Sequence, residues 1–366
     1  MNIIWFSWKD IKHPQSGGAE VISNKLMVNL VQDGHKVTLI TSRYPGSKEH
    51  SVINGVDIFR TGNRFTVYWK AFRLFRKRFA DKPDLVIDEM NTIPFGCALY
   101  TSRPAVLLTY QLARKVWFYQ MPFPLSVIGF LIEPVYLFVM SRFYKTVLTE
   151  SESTRRDLQK YGFSANKIHV FRVGLELQPL AKLPSKKSLA TILVLGSVRP
   201  MKRTLDAIKA FERASDQNPQ FNLIVAGDAS GKYGENVLIY CKESRHRTRI
   251  NFMGRVSVAT RKKLMRESSL ILVTSVKEGW GLIVTEANSQ GTPAIAYDCD
   301  GLRDSVEDGV TGLLVPAGDT TALGDAINSC LLDRPAYERL RKQAWSSSKQ
   351  YTFKNSYTDF KQALDI

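Results

Sequence analysis

The chain is 366 residues long and 44% hydrophobic, enough to bury two cores of ordinary size and too apolar for a disordered protein. Its 51 Lys and Arg against 34 Asp and Glu leave a formal net charge of +17, large for a surface that is merely well solvated. Such a surplus suits a phosphorylated substrate, an anionic membrane surface or nucleic acid.

Four widely spaced cysteines, Cys97, Cys241, Cys299 and Cys330, form no CxxC or Cys/His spacing, which argues against zinc and for a reducing, cytoplasmic compartment. The chain runs directly into an apolar segment, Ile3–Ser7, without the basic and long apolar regions of a secretory leader. Short β-rich runs then alternate with helical periods, the pattern of α/β architecture with parallel sheets. The first series predicts strands at Ile3–Ser7, Lys36–Ser42, Val56–Arg60, Asp84–Asp88, Ala105–Tyr110, Thr146–Thr149 and Ile168–Val173. A segment rich in Pro, Lys, Leu and Ser, from Glu176 to Ser188, reads as a linker. The second series is Thr191–Leu195, Phe221–Ala226, Ile250–Met253, Leu270–Thr274, Pro293–Tyr297 and Gly312–Val315. The expected architecture is two Rossmann-like, doubly wound domains facing across a cleft, residues 1–176 and 177–349. The closing segment, 350–366, is expected to cross back as a helix onto the first domain. In such sheets ligands bind beyond the carboxyl ends of the strands, and every motif below falls at such an end.

Ser16-Gly-Gly-Ala-Glu20 follows the first strand and opens a helix. Gly17 and Gly18 allow close approach of a phosphate or sugar, although a plain turn needs the same residues. No GxGxxG is present, and Gly227 to Tyr233 departs from the P-loop spacing. Next, Phe65, Tyr68, Phe72, Phe75 and Phe79 step by three and four along one helical stripe, with Lys70, Arg73, Arg76, Lys77 and Arg78 on the other faces. This is either a basic amphipathic helix for a membrane surface or a domain helix packing its aromatics on the sheet. Residues 116–143 carry a second aromatic, apolar stretch. Pro122, Pro124, Glu133 and Pro134 are expected to break it into pieces shorter than the roughly 20 residues a bilayer span needs. Peripheral attachment is the expectation. Ser151 to Thr154 reads as a helix cap.

In the second domain, Leu195-Gly-Ser-Val-Arg199-Pro-Met-Lys202-Arg203 puts three cations in one strand-to-helix loop, a site for a diphosphate whose charge grows as a glycosidic bond breaks. Glu278-Gly-Trp-Gly-Leu-Ile-Val-Thr-Glu286 follows a buried strand and opens a helix. Unpaired N–H groups at the helix start favour a phosphate, and the two carboxylates suit sugar or ribose hydroxyls. Together they describe a nucleotide-sugar. Asp298-Cys-Asp300 matches a three-letter metal pattern that arises readily by chance, so no metal is expected. The five histidines are scattered, and none stands near a nucleophile.

This ordered set, with Glu278 and Glu286 framing Gly279 and Gly281, then Gly291-Thr-Pro-Ala-Ile-Ala and Gly309-Val-Thr-Gly-Leu-Leu-Val-Pro316, resembles the retaining glycosyltransferases of family 4, which have the GT-B fold. The resemblance covers nearly the whole chain. It implies that Glu286 holds ribose hydroxyls and Glu278 a hydroxyl of the transferred sugar. It implies that the backbone of Gly279, Trp280, Gly281 and Leu282 meets sugar and diphosphate, and that Lys202 with an arginine neutralises the diphosphate. Gly17 and Gly18 would close over the phosphates, with the base beside Gly254 and Arg255. No cofactor or metal is implied, the nucleotide-sugar (UDP-, GDP- or ADP-linked) being a co-substrate. Two departures stand out. Ser197 occupies the position where the family's arginine usually sits, leaving Arg199 or Arg203 to supply the charge, and Tyr110 stands where a histidine is common. The expected activity is transfer to a lipid-linked or polysaccharide acceptor at the cytoplasmic membrane face. Alternatives are an epimerase of the same fold, or a non-catalytic protein binding anionic lipid or nucleic acid. Nucleic acid is disfavoured because the two glutamates would repel its backbone.

Overall fold

The computed structural model describes residues 1–186 and 188–366; position 187, within the expected linker, lies outside them. Two compact units emerge, Met1–Gly174 together with Phe353–Ile366, and Leu175–Thr352. The sequence reading drew the borders at 176/177 and 349/350.

Unit 1 contains β1 (Asn2–Phe6), α1 (Gly18–Gln32), β2 (Lys36–Thr41), β3 (His50–Ile53), β4 (Val56–Arg60), α2 (Val67–Arg78), β5 (Leu85–Met90) and β6 (Ala105–Thr109). It continues with α3 (Trp117–Gln120), α4 (Leu125–Phe143), β7 (Thr146–Thr149), α5 (Glu152–Lys160) and β8 (Ile168–Val170). The sheet order is β3-β4-β2-β1-β5-β6-β7-β8. Both faces are covered, as parallel sheets require, and Ile3 to Phe6 are wholly buried. One strand was not expected. β3 pairs antiparallel with β4 through Asn54 and Gly55, both at positive φ (51° and 85°). Asn-Gly is the sequence favoured for this two-residue turn.

On α2, Val67, Ala71 and Phe75 are buried against the sheet with Tyr68, Leu74 and Phe79 beside them. Of the aromatic stripe, Phe75 is core and Tyr68 and Phe79 pack half-buried beside it, while Phe65, like the neighbouring Trp69, stands exposed.

The second aromatic stretch corrects its expectation. α4 is one unbroken helix of 19 residues with Pro134 inside it, long and apolar enough to cross a membrane by length and composition. A proline there cannot donate to the carbonyl of Phe130. That carbonyl accepts instead from Arg114 Nη1 at 2.9 Å. Glu133, which looked like an interruption, is buried and satisfied. It accepts from the N–H of Ala113 (2.8 Å) and Arg114 (2.6 Å) and from Trp117 Nε1 (2.9 Å).

Unit 2 contains β9 (Thr191–Leu195), α6 (Thr204–Gln217), β10 (Asn222–Ala226), α7 (Lys232–Glu243), β11 (Ile250–Gly254), α8 (Val258–Glu267), β12 (Leu270–Val273) and α9 (Leu282–Ser289). After these come β13 (Ala294–Tyr297), α10 (Leu302–Ser305), β14 (Gly312–Val315), α11 (Thr320–Leu332) and α12 (Arg334–Ser348). Its six strands, in the order β11-β10-β9-β12-β13-β14, are all parallel. α6, α7 and α11 cover one face, α8 and α9 the other. The expected linker is strapped to this unit. Trp345 Nε1 donates to the Leu180 carbonyl at 2.9 Å, and the buried Lys186 donates to the Arg266 carbonyl (2.8 Å) and Thr292 Oγ1 (2.9 Å).

The last helix, α13 (Phe353–Leu364), belongs to unit 1. Phe360 stacks on Trp5 with ring centroids 6.0 Å apart. Tyr357 Oη and Lys361 Nζ both reach Asp33 Oδ2, at 2.9 and 2.7 Å.

Candidate active site

In unit 2 the site residues gather where β9 and β12 end. β9 runs into Gly196, Ser197 and Val198. Ser197 and Arg199 are exposed, and a single helical turn, Pro200–Lys202, presents the lysine. Arg203 follows in the left-handed region at φ 46°, unusual for a side chain this large and a local strain. Thr274 Oγ1 helps hold it there, donating to the carbonyls of Lys202 (2.8 Å) and Arg203 (3.1 Å).

Lys202 Nζ forms an ion pair with Glu278 Oε1, which also accepts from Ser275 Oγ at 2.5 Å. Burial opposes ionisation of Glu278, but the Lys202 charge, the hydrogen bonds from Lys202 and Ser275, and Arg199 outweigh it. Its carboxyl is held below the usual range. The sequence reading gave Glu278 and Lys202 separate tasks; the structure makes them one polar unit. Gly301 is part of its support, since a Cβ there would stand 2.2 Å from the Glu278 carbonyl oxygen.

Gly281, at φ 91°, caps α9. Only glycine adopts this conformation freely, and a Cβ would also meet Leu302 Cδ2 at 2.7 Å. The Trp280 indole turns inward, donating to Thr285 Oγ1 at 2.8 Å and lying 5.3 Å from the Tyr351 ring. Leu282 begins the helix, so Glu286 lies little more than one turn in, buried at 6% exposure. Burial pushes its carboxyl up to about 7, with Arg261 pulling down and Glu176 pushing up. Gly254 ends β11 and Arg255 is exposed beyond it. Asp298 and Asp300 are both engaged by Arg303, at 2.6 and 3.4 Å, and Asp300 also by Lys277 at 3.3 Å.

In unit 1, the Gly17 N–H donates to Glu20 Oε2 at 2.6 Å, and Glu20 Oε1 pairs with Lys9 Nζ at 2.9 Å. Gly18 is the first residue of α1. Tyr110 is buried, its hydroxyl 2.5 Å from Ser23 Oγ, and burial raises its pKa well above the ordinary value. Ser151 caps α5, accepting from the Thr154 N–H at 3.2 Å, and Thr154 Oγ1 donates to the Tyr110 carbonyl at 3.1 Å.

The sequence reading missed Glu89, at the end of β5. It is 1% exposed, accepts from Trp5 Nε1 at 2.8 Å, and is pushed up to about 7 by burial and by Glu20. The signal was present: two acids, Asp88 and Glu89, interrupt an apolar strand in which unpaired charge is costly. Arg261, on α8 beside Glu286, was missed as well.

Comparisons with known proteins agree with this layout. Residues 16–178 match the model described as Glycosyltransferase Family 4, and residues 180–346 that described as Glycosyl transferases group 1. A D-inositol 3-phosphate glycosyltransferase of Nocardia farcinica is 25% identical over 214 residues, 55% of this chain but only about half (48%) of the relative. An N-acetyl-alpha-D-glucosaminyl L-malate synthase of Bacillus anthracis is 23% identical over 355 residues, 92% of this chain and 90% of the relative. The Anabaena protein HepE, solved in complex with UDP and glucose, shares the fold at a TM-score of 0.74 and 17% identity, covering 100% of this chain and 99% of that one. With the two family models spanning both units over their parallel sheets, the chain belongs to the family 4 glycosyltransferases and is a glycosyltransferase of the GT-B type.

Proposed function

We propose that the enzyme transfers a sugar, with retention of configuration, from a nucleotide-sugar to a lipid-linked or polysaccharide acceptor at the cytoplasmic face of a membrane, without a catalytic metal. The observation that carries the donor half is the cluster of Arg199, Lys202 and Glu278 at the strand ends of unit 2, with Glu286 buried behind the start of α9. In the reaction the bond from the sugar's anomeric carbon to the phosphate oxygen breaks, its electron pair leaving with the diphosphate. The acceptor oxygen bonds to the same face of that carbon and gives its proton to the departing phosphate. Arg199 and Lys202 stabilise the growing negative charge. Glu278, ionised and held by Lys202, accepts from a sugar hydroxyl, and Glu286 accepts from the ribose. HepE's complex with UDP supports a uridine donor, with GDP- and ADP-sugars as the alternatives.

The membrane half rests on α4. Its inner side, with Glu133, Leu137 and Met140, is committed to the fold. Its outer side exposes Leu131, Ile132, Val135 and Phe138, continued by the highly exposed Phe123 (82%). Single exposed apolar residues are ordinary, but a contiguous set this large marks a contact surface. Charge selects an anionic bilayer as the partner. From 91 to 150 the carboxylates are Glu133 and Glu150, both buried, while Lys115, Arg142 and Lys145 are exposed. The helix then lies in the interface on its apolar side, among anionic headgroups.

Thermal shift with UDP-, GDP- and ADP-sugars tests the donor, and the anomeric configuration of the product tests retention. A protein stabilised by none of these donors is not the enzyme proposed. Conversion of donor to an isomer without acceptor would favour the epimerase reading.

A further inference from the structure

Arg261 stands between two carboxylates. Its Nη2 pairs closely with Glu176 Oε2, in the segment that begins unit 2, and lies 3.5 Å from Glu286 Oε1. Its Nε is buried without a hydrogen-bond partner. One guanidinium thus serves two acids, and the closer contact goes to Glu176. Glu286 keeps the long contact, although it is the more deeply buried of the two.

We propose that Arg261 is a positioning residue that sets the charge of the ribose-holding carboxylate, and that Glu176 competes with Glu286 for it. This rests on the reading of Glu286 as the ribose partner. Two ribose hydroxyls donating to one carboxylate are held best when both oxygens are full acceptors, as in the ionised form. A protonated carboxyl keeps its own O–H and loses an acceptor. The charged groups acting on Glu286 are Arg261 from α8, favouring ionisation, and Glu176, opposing it. β12 and β13 bring apolar side chains to this face of the sheet, among them Ile271, Val273, Ala294 and Ala296. Arg341 of α12 is occupied by the Gly291 carbonyl at 2.8 Å. With Glu286 poised near 7, the division of one guanidinium between two acids decides whether it is ready for a nucleotide.

Removing either neighbour should therefore move nucleotide binding in opposite directions. Affinity is measured by calorimetry from pH 5.5 to 8.5, using whichever of UDP, GDP or ADP stabilises the wild type most. Arg261→Gln should weaken binding about fivefold to tenfold at pH 7 and move the acidic limb of the profile upward. Glu176→Gln should tighten binding by about fivefold at pH 6, do little at pH 8, and move the limb downward. Arg261→Lys, which keeps the charge, should recover most of the profile. A merely structural role would weaken binding in both glutamine variants without moving the limb, and that result overturns the proposal. The ribose reading fails separately if Glu286→Ala leaves affinity unchanged, and the donor-site reading fails if no nucleotide binds the wild type.

Discussion

Lys202 and Glu278, 76 positions apart in the sequence, meet as an ion pair at the ends of β9 and β12. Against the opposing effect of burial, Lys202, with Ser275 and Arg199, holds the Glu278 carboxyl below its usual range, and Lys202 is aimed by a carboxylate that Ser275 also holds. Single removals should therefore be non-additive. Lys202→Met and Glu278→Gln are each expected to lower kcat roughly 100-fold or more, and the double variant to lose far less than the product of the two. Steady-state kinetics on the four proteins measures the coupling; simple multiplication of the losses would mean the two residues act independently.

Glu286 and Glu278 should separate in their kinetic signatures. Glu286→Ala is expected to raise the donor KM with a modest change in kcat, because a ribose contact is shared by ground and transition states. Glu278→Ala should lower kcat more than it raises KM. Equal losses in both parameters for both variants would show that the two roles are not divided this way.

Glu89 gives unit 1 a definite pH dependence. Its folded pKa of about 7 lies above the ordinary 4.5. The stability it contributes is therefore fully present below about 4.5 and is lost as pH rises through about 7, on the order of 3 kcal/mol in all. Glu89→Gln keeps an acceptor for Trp5 Nε1 without the charge. Urea unfolding at pH 5 and pH 8 should show a smaller loss between the two for the variant than for the wild type.

Glu133 should be among the more sensitive positions of unit 1. Its alanine variant strips the partner from two backbone N–H groups and from the Trp117 indole, all at part-buried or buried positions. A loss of about 3 kcal/mol or more is expected from the unsatisfied donors. Chemical denaturation reads this directly.

The exposed side of α4 should behave in the opposite way. Leu131→Asp and Val135→Asp alter solvent-facing residues, 63% exposed each, and should leave the melting temperature within about 2 °C. They should abolish flotation with anionic liposomes. Equal flotation of wild type and variants would remove α4 from the contact, and equal recovery on neutral vesicles would remove the electrostatic component.

Strand content was legible because buried parallel strands read as continuous apolar runs. The expected strands appear within three residues at either end. β3 escaped because its four residues alternate between exposed and half-buried positions without an apolar run, yet the Asn54-Gly55 turn announced it. α4 is not legible as one helix, because Pro134 and Glu133 look like breaks in sequence. In sequence nothing shows that Arg114, 20 positions upstream of the proline, takes over the orphaned carbonyl of Phe130. The pairing of Lys202 with Glu278 depends on two loops converging, which spacing cannot report. Tyr110 was placed at a strand end correctly, but its burial against Ser23 follows from the packing of α1.

The return of α13 has a consequence for synthesis. Unit 1 is written in two pieces of the chain, with all of unit 2 between them. Trp5, made before unit 2, acquires its stacking partner Phe360 only after it. While the ribosome is still producing unit 2, the first sheet has nothing from 353–366 to lie over Trp5 and Asp33, and an apolar surface stays open. Completion of unit 1 thus waits until 353–366 has been made after all of unit 2, and a chain cut after Thr352 would leave that face uncovered.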